Sequence, residues 1–406
     1  MTASLSVRPR EAVRAFPHSR EAIRMNMRVE QCHWSAAGGW EPLPSSTTLG
    51  ASAQVVLLFG HARLVRTQEC VARMRQAFPN AHLFGCSTAG EIQGTRVDDG
   101  TLALTAVAFH HSHVATAQAP IETVDGGAVT GERLIRQLDP RGLRHVFVLC
   151  DGLQVNASDL VRGINAALPP GVSASGGFAA DGHAPQATLV WSDSEPQQST
   201  AIALGFYGER LHFGLSVTGG WRPFGPDRLI TKSHKNVLYE FDGRPALPLY
   251  KQYLGEHAAG LPAAGLMFPL ELCLGSEQKR VMRALIGVDE NQQSITFAGD
   301  MPEGARARFM MGHIEDLIEG ALKAAKSSLD SMNGRQPSLS LLVSCAARRF
   351  FLNQRVEEEV EAVRDVMGEK AALTGFYSYG EIAPPEGGGA PELHNETMSI
   401  TSIAED

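Results

Sequence analysis

The chain has 406 residues, 43 % hydrophobic and 20 % charged, with a formal net charge of −8. That length exceeds one ordinary core and suits two or three domains. The acidic balance argues against nucleic acid, which needs a concentrated basic surface, and no apolar run reaches the roughly 18 residues of a membrane span.

Residues 1–28 carry six arginines and two acids, without the apolar segment of a secretion signal. They read as a disordered leader or an over-extended start, Met25 and Met27 each opening a plausible shorter chain; an organellar transit peptide has the same composition. A first unit follows: the apolar run Val55 to Phe59, a helical stretch from Thr67 to Phe78, then a strand and turn from His82 to Gly90. A second unit runs from the strand His145 to Cys150 into a helix over about 158–168, with Asn156 and Ser158 both acceptable N-caps. It ends in Gly176-Gly177-Phe178-Ala179-Ala180-Asp181-Gly182. The third has a strand from Ser338 to Cys345, a charged helix from about Phe351 to Met367, and a second glycine turn at 375–382. Continuous apolar strands alternating with amphipathic helices predict α/β layers covered on both faces.

Between the units lie alternating stretches at 102–109, 187–191, 201–206, 211–218, 281–288, 294–298 and 306–311, with a last strand at 397–403. They read as antiparallel hairpins, so the predicted fold is α/β with mixed sheets. The Pro- and Gly-rich stretch Gly219 to Asp227 is the expected domain boundary, dividing the chain into 29–225 and 226–406. A helix is expected near Pro245, after the Asp242-Gly243 turn.

The two outer turns share a phrase, Gly85-Cys86-Ser87-Thr88-Ala89-Gly90-Glu91-Ile92 and Gly375-Phe376-Tyr377-Ser378-Tyr379-Gly380-Glu381-Ile382. Glycines admit positive φ and close approach, and successive exposed N–H groups form a concave anion site. Ser87 and Thr88 add hydroxyls, and Glu91 a charge for a cation, so the set suits a zwitterion such as an amino acid. The same residues also suit tight turns whose side chains bond local backbone, with Glu91 capping a helix. Facing one cavity, the front copy would grip a polar head and the aromatic back copy would cover an apolar or planar body. The spacing matches neither a P-loop nor Gly-x-Gly-x-x-Gly. Cys86, at the mouth of the first turn, is either a nucleophile activated by N–H groups or a buried spectator thiol. The six cysteines (Cys32, Cys70, Cys86, Cys150, Cys273, Cys345) include no Cys-x-x-Cys pair, as expected of buried free thiols in a reducing cytoplasm. His110, His111 and His113 read as a solvated strand end or a metal site.

At these residues the chain resembles the FIST sensory proteins. The likeness rests on Pro79-Asn80-Ala81 leading into the first turn and on Gly176-Gly177-x-Ala179-Ala180-Asp181, both like the N-terminal FIST domain. Phe268-Pro269-Leu270, the second Gly-Glu-Ile turn and His394-Asn395-x-Thr397 are similar to the C-terminal one, and Trp34-Ser35-x-Ala37-Gly38-Gly39 resembles a typical family beginning. The resemblance implies a non-catalytic, cytoplasmic small-ligand sensor in signal transduction, with amino acids as the suggested ligands and a separate partner such as a histidine kinase. The glycine turns would line a pocket between the α/β units, with Gly85, Cys86, Ser87, Thr88, Gly90, Glu91, Asp181, Tyr377, Tyr379, Gly380, Glu381 and His394 as the expected ligand-binding residues. Some stand-alone members are described as haem-binding nitric-oxide sensors, which implies haem as an alternative ligand with His183 and His394 as candidate axial residues. A third reading is an enzyme with Cys86 as nucleophile assisted by Glu91.

Overall fold

The computed structural model describes residues 27–66, 68–182, 187–274 and 279–406. The expected leader therefore lies outside the described residues except for its last two positions, as does His183.

Each predicted unit is the centre of its own six-stranded sheet. In the first, Val55–Gly60 runs parallel to His82–Ser87 and antiparallel to Leu102–Ala108. The second repeats this with Leu143–Cys150 between Ser173–Phe178 and Thr200–Tyr207. The third places Leu339–Cys345 between Ala372–Ser378 and Met398–Glu405. In each sheet one parallel pair at the centre is flanked by antiparallel pairs, so the sheets are mixed as the hairpin patterns predict. The central strands are buried throughout apart from Arg144 near the start of the second, as their apolar runs require.

The glycine turns join the sheets in a ring. After the first turn, Glu91–Gln93 crosses to pair with Ala372–Ser378 of the third sheet. After the third, Glu381–Ala383 pairs with Ser173–Phe178 of the second. After the second, Val190–Ser192 returns to pair with His82–Ser87 of the first. Gly85, Gly176 and Gly375 occupy one equivalent position, opposite Leu58, Val148 and Leu342. A Cβ there would stand 1.8–1.9 Å from the facing carbonyl oxygen, so only glycine fits.

A fourth sheet has eight strands and edges at Lys279–Arg283 and Leu285–Asp289. Only Ala284 separates these two edges in the chain, so the sheet curls until they meet. Its barrel-like interior holds Ile230, Phe241, Leu272, Phe297 and Phe309, with Leu247 and Tyr250 from the helix Ala246–Leu254.

The strands cross the division expected at residue 225. Leu211–Thr218 is an edge of the third sheet, beside Met398–Glu405, while Glu381–Ala383 and Glu392–His394 complete the second. The Gly219–Asp227 stretch is a short crossing that leads into the strand Arg222–His234. Its prolines are tolerated because the ladder to Arg306–Met311 shifts register between Phe224 and Arg228. The charged helix expected from Phe351 to Met367 divides into Ala346–Leu352 and Val356–Met367, broken at Asn353, whose φ is +49°. Two helices lie outside the predicted elements, Gly127–Ile135 and Ile314–Ser331; the second buries Leu317, Gly320, Ala321, Ala324 and Ala325. His110 and His111 lie in a turn and His113 opens a strand; among the described residues no three His, Cys, Asp or Glu side chains converge as metal ligands.

Candidate functional site

The ring brings the three glycine turns into contact. Ala89 N–H donates to the Tyr377 carbonyl and Tyr377 N–H to the Gly90 carbonyl, each at 2.9 Å. Phe178 N–H donates to Gly380 O at 2.9 Å, Tyr379 N–H to Phe178 O at 3.1 Å, and Ala180 N–H to Ser87 O at 2.9 Å. These amides bond the neighbouring turn and form no exposed anion nest, which corrects that expectation. The reason is topological, since each turn is also a strand crossing and its backbone groups complete the next sheet.

The shared glutamates have a common structural role. Glu91 accepts from the Thr88 hydroxyl at 2.5 Å, the Thr101 hydroxyl at 2.7 Å and Thr101 N–H at 3.2 Å. Glu381 repeats the pattern with Ser378 at 2.7 Å, the Thr397 hydroxyl at 2.7 Å and Thr397 N–H at 3.2 Å. Both are buried. Burial pushes the Glu91 carboxyl up to about 7 and the Glu381 carboxyl up to about 8, against the lowering effect of those hydrogen bonds. Glu91 thus neither caps a helix nor faces solvent to receive a cation. Ser87 Oγ accepts from Leu189 N–H at 2.9 Å. Cys86 is wholly buried, and burial, then the Glu91 carboxylate, pushes its thiol well above the ordinary range. A protonated core thiol is not a nucleophile, which corrects the Cys86 enzyme reading.

The aromatic copy is equally engaged. Tyr377 is buried and donates to Glu359 Oε1 at 2.6 Å. Tyr379 stands where the other units carry Ala89 and Ala180, and its hydroxyl donates to Asp181 Oδ1 at 3.0 Å and to Gly182 O at 3.2 Å. Asp181 Oδ2 accepts from Ala187 N–H at 2.7 Å. Arg349 lies against Gly90 and donates to Ala89 O at the first turn.

A cavity of about 220 Å³ adjoins the third turn, where the barrel meets the three-sheet body. Its wall includes Gly219, Gly220, Trp221, Glu271, Arg280, Met282, Met310, Glu386, His394 and Thr397. His394 is thus the one sequence-predicted site residue on this wall. The others come from strands of the fourth sheet, the Gly219–Trp221 crossing, the loop after Glu381–Ala383 and the approach to Met398–Glu405; the only local sign was Gly-Gly-Trp, two permissive residues before a large aromatic. Arg280 pairs with Glu271 across neighbouring strands. Thr397 joins the cavity to the third turn through its bond to Glu381. His394 is buried, and its Nε2 meets Ala383 O at 3.1 Å. That nitrogen is engaged by a carbonyl, and the cavity is below the roughly 300–1,000 Å³ of drug-sized ligand sites, so the groups present do not fit haem ligation at His394.

Among proteins of known sequence, an uncharacterized Mycobacterium tuberculosis protein is 24 % identical over 369 residues, covering 86 % of this chain and 91 % of its own. An uncharacterized Methanocaldococcus jannaschii protein is 23 % identical over 338 residues, 78 % of this chain and 64 % of its own. Among solved structures, a cyanuric acid hydrolase from A. caulinodans covers 93 % of this chain and 99 % of its own, at 8 % identity and TM-score 0.38. A chorismatase covers 93 % and 98 %, at 11 % identity and TM-score 0.36; likeness at this level is not evidence of shared chemistry. A model of the FIST N domain matches residues 54–244 and one of the FIST C domain residues 246–384. The chain belongs to the FIST family, whose domains are small-ligand sensor modules of signalling proteins.

Proposed function

We propose that this chain is a non-catalytic cytoplasmic sensor of an amino-acid-sized ligand, held in the cavity between barrel and body, and that it acts on a separate partner such as a histidine kinase. The observation carrying this reading is the composition and place of the cavity. Arg280 and Glu271, paired with each other, and Glu386 supply charged groups for a zwitterion to bridge, and Trp221, Met282 and Met310 supply apolar wall. A few polar groups set in an apolar lining are what a small-molecule site needs. Thr397 then ties ligand contact to Glu381, Ser378 and the ring of turns. A ligand that favours one setting of barrel against body shifts the population that the partner meets.

The test is a thermal-shift screen of the full chain against amino acids at millimolar concentration. At least one should raise Tm, since a ligand at about 100 times its Kd adds about 2.7 kcal/mol. Arg280→Ala, at an exposed position outside the packed core, should abolish the shift. No response to any amino acid, or an undiminished one in Arg280→Ala, would sink the proposal.

A further inference from the structure

The strands Glu381–Ala383 and Glu392–His394 are joined by the loop Pro384-Pro385-Glu386-Gly387-Gly388-Gly389-Ala390-Pro391. Both ends of this loop are fixed. Ala383 stands opposite Glu392 in the ladder, Pro384 and Pro391 are buried, and Pro391 O accepts from Asn165 Nδ2 at 2.8 Å. The two successive prolines make a stiff arm, because their rings lock φ. Residues 386–390 beyond that arm are all exposed. Among the described residues, the only hydrogen bond from the amides of this tip is Gly388 N–H to Pro385 O, at 2.9 Å.

The three glycines hold φ of +89°, +90° and +120°, a region open to glycine without steric cost. Close packing is not what selects them. A Cβ on Gly387 or Gly388 would meet nothing within 4 Å, and one on Gly389 only Pro385 Cγ at 3.9 Å. The tip thus joins backbone freedom to few contacts, the properties of a segment that moves at low cost. Pro385 and Glu386, the end of the arm and the start of the tip, lie on the wall of the cavity between barrel and body.

The two carboxylates of that wall differ in their company. Glu271 is paired with Arg280, whereas Glu386 has no ion-pair partner among the described residues. Arg280 uses Nη1 for Glu271 and keeps further N–H donors for a ligand carboxylate. Val217, Trp221, Val281, Met282 and Met310 make the wall apolar beside these charges, which suits an apolar side chain. We propose that the cavity takes an α-amino acid with an apolar side chain, and that residues 386–390 form a flap that closes over it, bringing the Glu386 carboxylate onto its ammonium group. The inference rests on the cavity being the ligand site. Closure shields that pair from water, where attraction between opposite charges strengthens. Glu386 is then the specificity-determining residue, separating an amino acid from the acid that lacks its ammonium.

The test uses the full chain with L-valine and with isovalerate, which is valine without its ammonium, read by calorimetric titration and hydrogen-exchange mass spectrometry. L-valine should bind at least about tenfold tighter than isovalerate, and should slow exchange at residues 386–390 at least about fivefold. Glu386→Gln should erase the preference by weakening L-valine alone, with the ligand-free Tm unchanged because the side chain is exposed. Deletion of Gly387, Gly388 and Gly389 shortens the tip and provides a second variant with the same expected loss of L-valine affinity. Equal affinity for the two compounds in the wild type, or unchanged exchange at 386–390 under saturating L-valine, overturns the flap. L-valine binding lost in Arg280→Ala yet intact in Glu386→Gln removes the flap and leaves the cavity reading standing. Failure of L-valine to bind at all overturns the proposal, and a thermal shift with another amino acid then separates that failure from failure of the cavity reading.

Discussion

At the scale of single residues, the repeated Gly-Glu-Ile phrase turns on what a buried carboxylate costs. Glu381 is fully enclosed, and burial lifts its carboxyl to about 8 despite three bonds from Ser378 and Thr397. In the unfolded chain a glutamate titrates near about 4.3. Between those values the folded state binds the extra proton, so stability must fall as pH rises from the unfolded value to about 8. Glu91 adds the same trend up to about 7. Denaturant unfolding should therefore show greater stability near pH 6 than near pH 8.5, with Glu381→Gln removing a contribution on the order of 2 kcal/mol. A profile for Glu381→Gln parallel to wild type would contradict this. The residues of the phrase were legible in the sequence; their partners Thr101 and Thr397 were not, because they arrive from other strands.

At the scale of elements, the third unit shows a buried ion pair spanning the break between two helices. The charge pattern Val356-Glu357-Glu358-Glu359 reads as one long helix continuing from Phe351, yet the chain turns at Asn353 and starts again at Val356. Arg348 in the first piece and Glu359 in the second are both wholly buried and bonded to each other. Arg348 further holds the carbonyls of Gly219 and Leu317, so it ties both pieces to the cavity wall and to the helix Ile314–Ser331. Arg348→Met should cost about 3–5 kcal/mol, because it leaves Glu359 buried without its cation. The midpoint of urea unfolding reads this directly, and a loss below about 1 kcal/mol would match a surface pair instead.

For the whole molecule, the barrel is held to the body by Arg283, which is 4 % exposed. Its Nε donates to Asp300 O at 3.1 Å and its Nη1 to Leu393 O at 3.2 Å. Burial draws its guanidinium down to about 10, with the Asp300 and Glu392 charges opposing. Asp300 in turn meets Asn156 at 3.2 Å and Arg162 at 2.9 Å, at the start of the helix Ala157–Ala167. Arg283→Ala should cost about 2 kcal/mol, from carbonyls left without a charged donor, and should speed hydrogen exchange at residues 392–394. Unchanged exchange there would show that the joint holds without it.

Within the units, residue order alone determined a great deal. Unbroken apolar runs made the central strands, because a strand covered on both faces needs no polar alternation. The glycine turns were visible through their composition, and the family likeness through their wording. Only the tertiary structure decided that the turns are crossings, that their glycines meet carbonyl oxygens of neighbouring strands, and that the two matched domains exchange strands. It also placed Trp221, Arg280, Met282 and Met310 around one cavity with His394. These residues are spread over 174 positions, from 221 to 394, and pairing between such distant strands leaves no local period in the sequence. The physical reason is that burial of each strand is a property of its own residues, whereas the partner it meets depends on where the rest of the chain has already been placed.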